Sequence, residues 1–365
     1  MEVLNPGFFL AINVASLAWV LYFFISAMIF IGISIMTFSF YKRKMEMKKL
    51  FWQEKVVTII SESLLIENDE NPVWLQFTEA DKGLLKDEKF RQYFIGEIIH
   101  AKKNFSGASV LNLKHLYQSL DFDKDAVLKM KSHKWHIKAS GIHELAVMGQ
   151  EQYVKEIFRL TNDVNELVRN EAQCALVNFY GFKGLRFLNV IIYPISQWQQ
   201  IQLLNYIYDV HAADPKRLTK WLLSKNNSVV IFAIRLASLC NCTEVYTQII
   251  RCLQGNESQV KQCALEYLKK INHPDSAEEI INCYAGADAA TRLIMLSVLQ
   301  ETGTENQIPF LINELSNPDN TIKLAAAKTL SVLHPSGPSF FHSHSFAGTY
   351  PWNAIFNQIE NERAA

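Results

Sequence analysis

Asn165-Glu166-Leu167-Val168-Arg169-Asn170-Glu171-Ala172-Gln173-Cys174-Ala175-Leu176 comes back in altered dress as Asp319-Asn320-Thr321-Ile322-Lys323-Leu324-Ala325-Ala326-Ala327-Lys328-Thr329-Leu330. In both stretches a polar residue leads and a β-branched residue followed by a base stands three places on. A small residue comes four places after that, and a largely apolar pair about two turns after the β-branched residue. Ile137-Lys138 and Val260-Lys261 carry the same anchor. Placing Trp198-Gln199, Val229-Val230 and Thr291-Arg292 between them gives seven anchors at steps of 31, 30, 31, 31, 31 and 31 residues. A fixed beat of this length marks an array of small units.

Four residues after each anchor come Gly141, Ala172, Gln202, Ala233, Ala264, Met295 and Ala326. A small residue in mid-helix and apolar residues at its end make the packing stripe of an amphipathic helix. Three residues before the anchor stand Asn165, Asn226, Glu257, Asp288 and Asp319, with Lys134 and Ile195 as exceptions. Asn and Asp there accept from the free N–H groups of the first turn and read as N-caps. Upstream of the caps lie apolar segments such as 153–160, 185–192, 218–223, 245–253, 277–284 and 308–315. Each unit is therefore helix, short turn, helix. Such a pair cannot bury its own apolar face, whereas stacked pairs share one continuous core.

On these residues the chain resembles the HEAT-repeat family of armadillo-type α-solenoids, over roughly residues 120–335. The resemblance implies an all-α protein whose residues 121–335 form a right-handed α-solenoid of about seven 31-residue helix-turn-helix repeats. Arrays of this kind serve as scaffolds and adaptors and occasionally as enzymes. Deoxyhypusine hydroxylases, which share the repeat, build a di-iron site from recurring His-Glu dipeptides. Here one such dipeptide occurs, His143-Glu144, and no other repeat matches it.

From Phe8 to Phe40 the chain carries no charge, over 33 residues, and about 20 apolar residues suffice to cross a bilayer as a helix. Residues 1–41 are expected to be a single transmembrane anchor. A cleaved signal peptide is the competing reading, but the segment has no basic leader and its apolar run is longer than such peptides carry. Residues 42–50 follow as a basic segment: Lys42, Arg43, Lys44, Lys48 and Lys49 against Glu46, whereas residues 1–7 hold only Glu2. The positive-inside rule places the amino terminus outside and the solenoid in the cytoplasm, as in a bacterial inner membrane. The same five cations set the topology and lie where anionic headgroups are expected.

The chain has 36 basic and 36 acidic residues. A balanced, slightly acidic part beyond residue 50 offers no electrostatic footprint for nucleic acid. The six cysteines fall in helical stretches and do not make the even framework of a small secreted domain. They read as reduced core thiols, and Cys240-Asn241-Cys242 lacks the second pair that a zinc site needs. Residues 51–120 look helical, over 51–65, 87–103 and 110–120, but stay out of the 31-residue register, as a cap or degenerate repeats would. Pro335-Ser336-Gly337-Pro338 ends the last repeat. Residues 336–365 are too aromatic for a disordered tail and read as a C-terminal cap or a docking segment.

No phosphate-binding glycine loop, nucleophile elbow or His-Glu-x-x-His helix is present. His133, His136 and His143 share a helical face, yet no carboxylate or cysteine recurs in register with them. His342 and His344 alone name no metal. No cofactor, metal or small-molecule substrate is expected, and the predicted partners are proteins. The bases after the anchors, Lys138, Arg169, Lys261, Arg292 and Lys323, read as a structural ladder between repeats. The best contact candidate is the atypical third repeat, where Trp198, Tyr206 and Tyr208 crowd beside Pro194, with Trp221 just beyond. Tyr and Trp bury large areas and keep a polar handle, as interface anchors do. The sequence thus reads as a membrane-anchored, non-enzymatic scaffold. The alternative is an enzyme or subunit of the HEAT-like lyase or hydroxylase type, with His133, His136 and His143 as first suspects.

Overall fold

A computed structural model describes residues 14–64, 77–207, 214–342 and 350–364, and every element among them is helical. The chain divides into two compact parts, one ending at Phe122 and the other beginning at Asp123.

The first part is organised by one helix, α1 (Val14–Leu64), of 51 residues. At 1.5 Å per residue it is roughly 76 Å long. The boundaries expected after residues 41 and 50 both fall inside it. Its two halves differ in surroundings. From Trp19 to Phe40 nearly every side chain is exposed. Further on, Trp52, Val56, Ile59, Ile60 and Ser63 are buried, a stripe at helical spacing that faces protein. That stripe packs on α3 (Glu88–Asn104) and α4 (Ala108–Ser119), which follow the short α2 (Glu79–Leu85). Phe90, Phe94, Ile95 and Ile98 of α3 and Leu113, Leu116 and Tyr117 of α4 complete this core.

The edges of the first part are fixed by polar groups. Thr78 and Asp81 form a reciprocal capping box at the start of α2, and Asp87 caps α3 by accepting from the Lys89 N–H. Phe94 and Phe122 meet edge-on, with ring centres 5.4 Å apart. The Tyr117 hydroxyl donates to the Phe122 carbonyl at 3.1 Å, so this buried ring brings its polar end a partner.

The second part is a succession of short helices: α5 (Phe122–Met130), α6 (Trp135–Val147), α7 (Val154–Arg159), α8 (Glu166–Tyr180), α9 (Gln197–Asn205), α10 (Pro215–Leu222) and α11 (Asn227–Leu239). These continue as α12 (Tyr246–Leu253), α13 (Ser258–Ile271), α14 (Ser276–Tyr284), α15 (Ala289–Thr302), α16 (Ile308–Glu314) and α17 (Asn320–Leu333). The inner helices pack side by side, α6 on α8, α11 on α13, α13 on α15 and α15 on α17. One apolar core runs through all of them.

The small positions explain the close approach. Ala172, Ala233, Ala264 and Ala326 are fully buried. A Cβ added to Gly141 would sit 2.5 Å from the Ala126 carbonyl oxygen and from the Met130 amide nitrogen, so only glycine lets α6 lie this close to α5.

The N-caps correct the register in one place. They are Lys134, Asn165, Ser196, Asn226, Glu257, Asp288 and Asp319. The third is Ser196, whose hydroxyl accepts from the Gln199 N–H, and not Ile195, which is buried. The anchor position of that helix is therefore Gln199, which is fully buried, while Trp198 points outward. The 30-residue step falls between the third and fourth caps rather than one earlier. Gln202 is only half-buried and Leu203 takes the small-residue position.

At the far end α18 (Ser339–His342) and α19 (Trp352–Ala364) follow the last inner helix. Phe341, Trp352, Ile355 and Ile359 are buried in the shared core, and Lys328 of α17 meets Glu362 at 2.7 Å. α19 thus covers apolar surface that α17 leaves uncovered. His344 lies outside the described residues.

Candidate functional site

The helix expected over 185–192 does not form as an α-helix. Residues Gly181–Asn189 make a 3-10 helix, and within it Gly184 lies against the backbone of Leu176 and Val177, where a Cβ has no room. The chain then runs without regular structure to Ser196, and Pro194 in it has no N–H to give a helix.

Side chains from both sides hold this segment in place. The Asn162 amide donates to the Val190 carbonyl at 3.0 Å and accepts from the Ile192 N–H at 3.0 Å. Asn226 donates to the Tyr193 carbonyl at 3.1 Å, and the Ile195 N–H donates to the Ser228 hydroxyl at 2.8 Å. The Arg169 guanidinium lies 4.2 Å above the Tyr193 ring, a cation–π contact.

Between this segment and the α10–α11 turn lies a cleft of about 870 Å³. Leu188, Ile191 and Trp221 line its depth and are buried. Ile192 and Leu223 stand on its rim, 79% and 66% exposed. The other rim groups are Lys220 and Lys225, both exposed. The nearest acid in sequence, Asp214, is occupied: it caps α10 through the Lys216 N–H and lies 3.7 Å from Arg217. An apolar floor with exposed cations at its edge can seat an apolar group carried on an anionic chain.

Of the four aromatic residues expected to mark a contact surface, three are among the described residues. Trp198 is exposed on α9, Tyr206 is half-buried, and Tyr208 lies outside the described residues. Trp221 is a correction: it is 1% exposed, packs 5.6 Å from Phe182 and donates its indole N–H to Asn189 at 3.2 Å. It forms core and cleft floor, not a free anchor. The rim residues Ile192, Leu223, Lys220 and Lys225 were passed over in the sequence. The signal available there was the scarcity of acidic residues between Ala172 and Thr243.

Metal chemistry finds no set of ligands. Among the described residues no three of His, Cys, Asp and Glu converge as a metal site. His143 pairs with Glu171 across helices at 3.4 Å, while His133 and His136 are exposed. Glu144 is buried and held by Lys129 and by the Ser140 hydroxyl. Burial pushes the Cys174, Cys242 and Cys252 thiols up to about 11, and thiols so raised are poor nucleophiles.

Three of the bases after the anchors, Lys138, Arg169 and Arg292, are employed within the fold. Arg169 donates to the Asp163 and Val164 carbonyls, and Arg292 to those of Tyr284 and Ala285. Lys138 reaches Asp163 at 2.9 Å. Gln200, in the basic position of the third inner helix, donates to the Ile195 and Ser228 carbonyls. In the basic segment of α1, Lys48 lies 2.9 Å from Asp87 and over the Trp52 ring, and Lys42 is 4.0 Å from Glu46. Arg43, Lys44 and Lys49 are exposed.

No protein-family description matches the chain, and no curated protein matches it. Among solved structures it is similar to human deoxyhypusine hydroxylase in complex with glycerol, with a TM-score of 0.31 and 12% identity over 78% of this chain and 98% of that one. It is also similar to the complex of CpcE and CpcF of phycocyanin lyase from Nostoc sp. PCC7120, with a TM-score of 0.23 and 14% identity over 81% and 99% of the two chains.

Proposed function

We propose that this protein is a membrane-anchored scaffold: α1 crosses a bilayer through its apolar half, and about seven helix-turn-helix repeats present binding surface to protein partners. One observation carries the reading. The apolar window of α1 has a mean hydropathy of 2.2 and none of it is buried by the rest of the chain, so lipid is the natural cover for it. The same helix then enters the packed core of the first part without a break, which supports a stiff coupling between anchor and folded body. The basic residues 42–49 put the folded part on the cytoplasmic side, at the inner membrane of a bacterium. Confinement there makes a second binding event effectively intramolecular, so weak contacts suffice. Lyase or hydroxylase chemistry has no cluster of ligands in the described residues to support it.

Alkaline extraction of native membranes tests the anchor. The full-length protein is expected in the membrane pellet, and protease added to intact cells should leave it whole while protease added to opened cells digests it. Release into the supernatant by alkali would sink the anchor.

A further inference from the structure

We propose that the cleft between residues 188–194 and the α10–α11 turn is the docking site for a partner segment in which carboxylates alternate with apolar side chains. This rests on the scaffold reading and names the chemistry of the partner.

Three observations point there. First, the cleft is apolar in depth and apolar at its lip: Leu188, Ile191 and Trp221 are buried beneath Ile192 and Leu223, which stand in water. Leaving two large aliphatic side chains that exposed forfeits their burial, so a partner that covers them gains it. Second, the charged residues that line the cleft, Lys220 and Lys225, are both basic, and so is most of the charge in the stretch of sequence that holds them. Between Ala172 and Thr243 the chain holds seven of its 36 basic residues but only two of its 36 acidic ones. Of the acids, Asp214 is already occupied as a cap beside Arg217. Lys220 and Lys225 flank the cleft, and among the described residues neither forms an ion pair with a carboxylate. In a chain that is neutral overall, a local excess of this size selects acidic partners and steers their approach. Third, the lip is held rather than loose. Asn162, Asn226 and Ser228 grip the backbone of 190–195, so little ordering remains to oppose binding.

The shape favours a chain over a bilayer. A flat lipid surface meets the rim residues but cannot reach the buried floor formed by Leu188, Ile191 and Trp221, whereas a peptide side chain can enter a cleft of about 870 Å³.

The test uses full-length protein in detergent micelles. It is probed with an array of 12-residue peptides combining Asp or Glu with Leu, Ile or Phe, and with a twin array in which Lys replaces every acid. Acidic peptides are expected to bind and basic ones not. Lys220→Glu with Lys225→Glu should weaken binding about tenfold or more, and so should Ile192→Ser with Leu223→Ser. All four positions are on the cleft rim, and unchanged helicity and melting temperature show that the variants fold. Equal binding to both arrays, no binding to either, or indifference to both double variants overturns the proposal. So does binding to phosphatidylglycerol vesicles that the same variants abolish while no peptide binds. If partners co-purified from native membranes persist with both double variants, the scaffold reading stands and this site falls. If the acidic peptides bind here but native membranes yield no partner at all, the scaffold reading falls instead.

Discussion

At the scale of single residues, two tryptophans that look alike in sequence do different work. Trp221 is buried, packs at a tilt against Phe182 and has its indole N–H satisfied. Trp221→Ala should therefore cost about 3–5 kcal/mol of stability in urea unfolding. Trp198 is 67% exposed, and Trp198→Ala should leave stability unchanged within about 0.5 kcal/mol. Equal losses from the two would show that the side-chain placements are wrong. The caps supply a pH test. Thr291, through its backbone N–H first, donates to Asp288, and the Thr321 hydroxyl and then its N–H donate to Asp319; these bonds hold both carboxyls below the ordinary aspartate range. A folded-state value below the unfolded one means that the stability each contributes is present above about pH 4 and is lost as the pH falls through the lowered value. Asn keeps the capping oxygen without the titration. The Asp288→Asn, Asp319→Asn protein should thus match the parent near neutral pH and lose less of its urea midpoint below about pH 4.

Elements show what the sequence made legible and what it did not. Asn165, Asn226, Asp288 and Asp319 were readable as caps because Asn and Asp accept from first-turn N–H groups, and their side chains do so here. The third inner helix was misread by one residue. Trp198 looked like an anchor by size and spacing, but the hydroxyl of Ser196 starts the helix and buries Gln199 instead. Ser196→Ala should cost about 1 kcal/mol, measured by thermal melting; no effect would restore Ile195 as the cap. The 3-10 form of Gly181–Asn189 was invisible, as was the close approach of Gly184 to the preceding helix, a tertiary fact that periodicity does not carry. The cleft it opens went unseen for the same reason. The length of α1 was also hidden: composition changes at residue 41, but nothing there breaks a helix. Its two halves should respond differently. Val56→Asp, at a fully buried position, should unfold the packing of α1 on α3 and α4 and raise protease sensitivity of the first part. Phe30→Arg, in the exposed half, should leave that packing intact and weaken insertion by about 2.5–3.5 kcal/mol, seen as release on alkaline extraction.

For the whole molecule, the proposed scaffold rests on the apolar half of α1 and on the array of helix pairs. The described residues hold no cluster of metal ligands, burial raises the Cys174 and Cys252 thiols, and Lys138, Arg169 and Arg292 are spent on carbonyls and a neighbouring carboxylate. Two features of the described residues stand out, the exposed apolar half of α1 and the basic, apolar-lipped cleft at the third and fourth helix pairs. A tethered scaffold uses both, one for lipid and one for protein. The most direct measurement is affinity purification of the full-length protein from its native membrane in mild detergent, with mass spectrometry for partners and metal analysis on the same sample. A reproducible protein partner at near-equal amount, without metal, is the expected result. Metal in stoichiometric amount with no partner would contradict the scaffold and return the case to an enzyme.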